Sequence, residues 1–168
     1  MSRKETVVRV FKDGERNITV CRLDDSENMS LNFCLSDIQL TPLHLLNMAL
    51  GQCLAELTLR FLERRDLMAT CLISICTALK TTGAVRIDEI NITLILPLQL
   101  SSDDEVILIR MLHQCPIYAA IIGSVSITLQ ICDDREAISR YEQNLLSQTS
   151  ANILHVHAVS EGAIDIRI

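Results

Sequence analysis

The sequence predicts an α+β protein in which antiparallel sheets surround one long central helix. Three observations carry that class. Short β-rich runs with period-two alternation recur along the chain; the stretch 41–65 is apolar on most sides at helical spacing; and two shorter helices are announced by capping signals between further strands.

Residues 5–11 (ETVVRVF), 17–23 (NITVCRL) and 28–35 (NMSLNFCL) are separated by the turn-forming clusters KDGER and DDSEN, so they read as an antiparallel meander. In the third, Met29, Leu31, Phe33 and Leu35 alternate with Ser30, Asn32 and Cys34, as in a half-buried strand. Thr41-Pro42 then opens the long helix. Thr41 serves as N-cap, and Pro42 stands at the first helical position, where its missing N–H costs nothing. Leu46, Leu50, Cys53, Leu54, Leu57 and Phe61 cover more than one face, which places this helix in the centre of the core.

Strands over 68–80 and 87–96 follow, joined by TTGAV, whose Gly83 suits a tight hairpin. On the first, Cys71, Ile73, Ile75 and Leu79 share one face; Ser74, Cys76 and Ala78 make the other small enough for a helix to lie close. On the second, Ile90, Ile92, Leu94 and Leu96 point one way. A helix begins at SSDDE with Ser102 and Glu105 as a capping box, and its buried stripe is Leu108, Met111, Leu112 and Cys115. Pro116 breaks it or starts a short new helix through IYAAII. Val125, Ile127, Leu129 and Ile131 form another half-buried strand. Asp133 with Glu136 caps a helix carrying Ile138, Tyr141 and Leu145, and the tail offers closing strands in ILHVHAV and AIDIRI.

At 168 residues the chain suffices for one core, with at most a short appendage. Its 49% hydrophobic and 21% charged residues describe a compact protein. A net charge of −6 with scattered basic residues argues against a nucleic-acid surface, and 3% aromatics without Trp leaves little to stack bases. No apolar run reaches the ~20 residues of a membrane span, and MSRKETVVRV lacks the apolar stretch of a secretory signal, so a cytoplasmic protein without a membrane partner is expected. There is no Gly-rich phosphate loop and no Gly-x-Ser-x-Gly elbow.

Seven cysteines without export signal or repeated C-x-x-C spacing disfavour structural disulfides and a zinc ribbon. Cys21, Cys34, Cys71, Cys76 and Cys132 read as inert packing residues. Cys115 directly precedes Pro116, and as N-cap of a new helix it would have its thiolate favoured by the helix dipole. Cys53 sits mid-helix and needs a cation from elsewhere. Glu56 and Arg60 share its helical face as an i, i+4 pair, which reads more readily as a solvated pair at the helix exit because exposed pairs at this spacing are common. His155 and His157 share a strand face without a third ligand of matching spacing, so no metal is expected; His44 and His113 lie on the two helices, and His113, two residues before Cys115, reads as a helix-surface residue, with tuning of that thiol as the alternative.

The segments TPLHLLNMALGQCLAELTLRFLERRDL (41–67) and MLHQCPIYAAI (111–121) resemble the two signature stretches of the OsmC/Ohr family of thiol-dependent hydroperoxide reductases. The shared pattern is Pro, two leucines, a small-rich helix, Gly-x-Cys and a basic helix end, then Cys-Pro-Ile 115 − 53 = 62 residues later. The resemblance spans about residues 5–132, giving an OsmC-like domain over 1–132 and a helix-strand extension over 133–168 packed on it. It implies an intertwined homodimer with sites at the subunit interface and no cofactor. It also implies a peroxidatic Cys53, a resolving Cys115, a peroxide substrate and a dithiol reductant of unspecified identity. In the family a Glu ten residues before the reactive cysteine partners an Arg from the N-terminal strands; Leu43 stands there in this chain. Arg9, Arg16 and Arg22 are the candidates for that Arg, with Glu56 and Arg60 as the visible substitute pair.

Overall fold

The computed structural model describes residues 3–15, 18–23, 41–80 and 83–149. Its elements are β1 (Arg3–Asp13), β2 (Ile18–Leu23), α1 (Pro42–Glu63), β3 (Thr70–Lys80), β4 (Arg86–Leu96), α2 (Ser102–Leu112), α3 (Pro116–Ile121), β5 (Ser126–Asp133) and α4 (Arg135–Thr149). The class is α+β, as the alternating patterns predict. The expected strand at 28–35, the closing strands of the tail, Arg16, Cys34, His155 and His157 lie outside the described residues.

Among the described residues the strands form one five-stranded sheet in the order β2-β1-β3-β4-β5. The first three pairings are antiparallel and the last, β4 with β5, is parallel. That parallel pairing departs from the antiparallel expectation because α2 and α3 stand between the two strands and form a crossover, which returns the chain to the end where β4 began.

Period-two alternation divides the sheet faces. Val8 and Val10 of β1, Cys71, Ile73 and Ile75 of β3, and Ile90, Ile92 and Leu94 of β4 form one buried cluster with Leu50, Leu54 and Leu62 of α1, Leu108 and Leu112 of α2, and Cys115 and Tyr118. The opposite face carries a smaller cluster in which Phe11 and Leu72 meet Ile138 of α4, with Tyr141 stacked on Phe11 at 5.4 Å.

The sequence places the small residues that admit a close helix on β3, at Ser74, Cys76 and Ala78. The structure instead sets α1 on the face of Cys71, Ile73 and Ile75. The residue that permits the close approach is on the helix: a Cβ at Gly51 would lie 2.5 Å from Val10 Cγ2.

Two caps move by one residue. Ser101, not Ser102, is the N-cap of α2, its hydroxyl accepting from Asp104 N–H at 3.2 Å. Asp134, not Asp133, caps α4, with Oδ1 accepting from Ala137 N–H at 2.8 Å. In each case adjacent residues of the same capping type compete, and the chain's exit from the preceding segment decides. Among the described residues no helix is long and apolar enough to cross a membrane.

Candidate functional site

The long helix is held at its start by a reciprocal cap. Thr41 Oγ1 accepts from His44 N–H, and His44 Nδ1 accepts from Thr41 N–H at 3.1 Å, so His44 takes the place of the usual Glu. His44 is buried. From this anchored start α1 runs over β1 and β3 and brings Cys53, half-buried, to the edge facing α3.

Cys115 arrives by a different route. Helix α2 ends at Leu112, Cys115 N–H donates back to Leu112 O at 3.1 Å, and Pro116 sets the first residue of α3. Cys115 is the N-cap of α3, its Sγ accepting from Tyr118 N–H at 3.4 Å, and it is fully buried. His113 stacks on Tyr118 with ring centroids 5.0 Å apart, closing the outer side of this turn.

The two thiols meet. Cys53 packs against the cluster that contains Cys115, close enough for Cys115 and for Ile117 N–H in the first turn of α3 to act on its acidity. Burial pushes the Cys53 thiol up to about 12, reinforced by the neighbouring Cys115; Ile117 N–H and the Arg60 guanidinium pull it back. Burial likewise raises the Tyr118 hydroxyl above its ordinary value. Cys115→Ala removes the cap and the effect of the neighbouring thiol. It should cost about 1 kcal/mol through fraying of α3 and speed Cys53 alkylation, as read by peptide-resolved mass spectrometry; slower alkylation would contradict this account.

The candidate activating residues are dispersed. Glu56, one turn beyond Cys53, pairs with Lys12 of β1, and the same Oε1 accepts from Gln52 Nε2 at 3.1 Å. Arg60 is exposed, and its charge acts on Cys53. Arg9 lies opposite Ser74 and Arg22 in the ladders, on the odd-numbered face of β1 with Phe11, whereas α1 covers the face of Val8 and Val10. Within one chain Arg9 therefore does not reach the thiol pair. Arg22 is placed here only by its register with Arg9. Leu43, in the position of the family Glu, is half-buried and ten residues upstream of Cys53.

Lys12 is the residue that sequence reasoning missed. It stands on the α1 face of β1 in step with Val8 and Val10, and it is 7% exposed. Its neighbour across the ladder, Cys71, is fully buried and pushed up to about 12, mainly by burial, with Lys12 lowering and Glu56 raising it. The signal was the period of two itself, Val8-x-Val10-x-Lys12, which puts the lysine inward. Among the described residues no group of three His, Cys, Asp or Glu side chains could hold a metal ion.

No family model and no curated protein matches the chain. Solved structures do. The OsmC like protein from Mycoplasma pneumoniae has a TM-score of 0.50 at 13% identity, over 79% of this chain and 97% of that one. The organic hydroperoxide resistance protein OhrB of Bacillus subtilis gives 0.47 at 16% identity, over 79% and 98%. One from Elizabethkingia anophelis gives 0.49 at 13%, over 80% and 97%. At such identities the likeness is one of fold, and it rests on the Mycoplasma protein: this chain resembles the OsmC/Ohr proteins in architecture and carries the OsmC-like fold.

Proposed function

We propose that the chain is an OsmC/Ohr-like thiol-dependent peroxidase acting on organic or hydrogen peroxides. The observation that carries this reading is the juxtaposition of Cys53 and Cys115, two thiols from separate elements packed in one cluster, with Cys115 beside the Tyr118 N–H of α3. The Cys53 thiolate attacks the distal peroxide oxygen and the O–O bond breaks. The leaving alkoxide takes a proton and departs as alcohol, and Cys53 becomes a sulfenic acid. Cys115 then attacks that sulfur and expels water, so two thiols and one hydroperoxide give one disulfide, one alcohol and one water. An external dithiol reduces the disulfide by exchange. No metal or organic cofactor takes part. Residues 1–132 form the OsmC-like domain of this antioxidant protein and 133–168 an extension packed on it. The protein works in the cytoplasm as a homodimer, for which the 44% exposure of Leu45 on α1 offers an apolar contact.

Stoichiometric cumene hydroperoxide is expected to consume a titratable thiol pair and to leave a Cys53–Cys115 disulfide on peptide mapping. Cys53→Ser should lower peroxide consumption by at least ~100-fold, the scale on which loss of a covalent nucleophile is felt. Equal, slow consumption by both proteins selects a second reading: a non-catalytic OsmC-like protein binding a small apolar ligand or a partner at the dimer interface. The upward push on Cys53 and the leucine at position 43 favour that alternative.

A further inference from the structure

Glu56 has two cations within its choice. Arg60 stands four residues further along α1, the spacing at which a Glu followed by a basic residue pairs on a helix surface. Lys12 reaches it from β1. The carboxylate goes to Lys12, and Gln52 Nε2 holds the same oxygen from one turn earlier. Lys12 is enclosed, its side chain 9% exposed against 43% for Glu56, so the pair is anchored on the sheet side and cannot drift along the helix.

Helical side chains lean towards the N-terminus, so Arg60 lies over the turn that contains Glu56 and, beyond it, Cys53. With Glu56 paired to Lys12 on the sheet side, its carboxylate is engaged away from the helix surface, and the Arg60 charge acts on Cys53. We infer that Lys12 is a positioning residue: by holding Glu56 against β1 it keeps Arg60 unneutralised and facing Cys53. The thiol thus owes its cation to two residues on different elements, one that supplies the charge and one that removes the competing carboxylate. Among the described residues the other titratable groups in this quarter are Cys115 at the N-cap of α3, with Tyr118 and His113 beside it, and Cys71 on β3.

The inference rests on Cys53 being the reactive thiol, and its test uses no peroxide, so failure of the peroxidase reading leaves a different trace. The full, reduced chain is alkylated with iodoacetamide at about pH 9, and the Cys53 rate is read by peptide mass spectrometry. Lys12→Met should slow alkylation about threefold, equivalent to a rise of about half a pKa unit, because Glu56 swings to Arg60. Arg60→Met should slow it similarly, and the double variant no further. Lys12→Met with Glu56→Gln should regain the wild-type rate, a rescue that loss of packing at Lys12 cannot produce. If Lys12→Met does not fold, Glu56→Gln and Arg60→Met decide together: removing a carboxylate already held off Arg60 should leave the rate unchanged, whereas loss of the guanidinium should slow it. An unchanged Lys12→Met rate, multiplicative slowing in the Lys12/Arg60 double variant, failed rescue, or a changed Glu56→Gln rate would each overturn the inference.

Discussion

Gly51→Ala should destabilise the protein by about 1–2 kcal/mol, although alanine is the better helix former by ~1 kcal/mol. At an open helix position that propensity would win. Here the added methyl meets Val10 Cγ2 at 2.5 Å and Ile75 Cδ1 at 3.3 Å. Val10 is β-branched, stiff about χ1, fully buried and fixed in a strand paired on both sides, so it has nowhere to turn. Overpacking of this kind costs roughly 1–3 kcal/mol, and the larger Gly51→Val should cost more. Chemical denaturation gives the sign directly. A double-mutant cycle with Val10→Ala adds the mechanism: the paired variant should be more stable than the sum of its singles implies, because the smaller strand residue makes room for the methyl. A Gly51→Ala protein more stable than wild type would mean that α1 does not lie this close to β1. Since α1 delivers Cys53, the same variant reports on whether the thiol is held at its observed depth.

What the sequence makes legible follows from how local each signal is. Thr41-Pro42 fixes the start of α1 within its own first turn, and the alternation in Ile90, Ile92, Leu94 and Leu96 declares which side of β4 is buried. Neither depends on the rest of the chain. Other features are set by elements far apart in sequence. The partner of Glu56 depends on how α1 crosses β1, so the helix pattern alone suggests Arg60 while the sheet supplies Lys12. A lysine in a strand is ordinarily read as outward-facing, which hides one in step with two buried valines. Arg9 carries the more suitable charge for a carboxylate but occupies the wrong parity, and parity relative to a helix is a tertiary fact. The parallel placement of β5 has the same origin, for strand sequences do not say which direction a crossover will return them. The nearness of Cys53 to Cys115 is implied only by the family resemblance; no periodicity links residues so far apart, and the position before Pro116 singles out Cys115 alone.

Raising the pH should make Cys53 steadily more reactive and the fold steadily less stable over the same range. Below its pKa a thiol gains about tenfold in thiolate for each pH unit. With Cys53 held up to about 12, its alkylation rate should climb without a plateau from about pH 8 to 11, where an ordinary cysteine levels off near 9.0. Stability moves the other way. Cys71, buried beside Lys12 and Glu56, keeps its proton to about 12 in the folded chain and to about 9.0 when unfolded. Between those values the unfolded chain has released a proton that the native one retains, so each increment of pH favours unfolding. The stabilisation is complete below about pH 9, and its loss by about pH 12 should be on the order of a few kcal/mol. Cys71→Val keeps the volume and removes the titration, so its unfolding free energy should decline less between pH 9 and 11 than that of the wild type. Parallel decline in the two proteins would place the alkaline sensitivity elsewhere, and a Cys53 rate that levels off near pH 9 would mean that burial does not hold this thiol protonated. That second outcome would favour catalysis, since a thiol of ordinary acidity beside Arg60 supplies more thiolate at neutral pH than one held near 12.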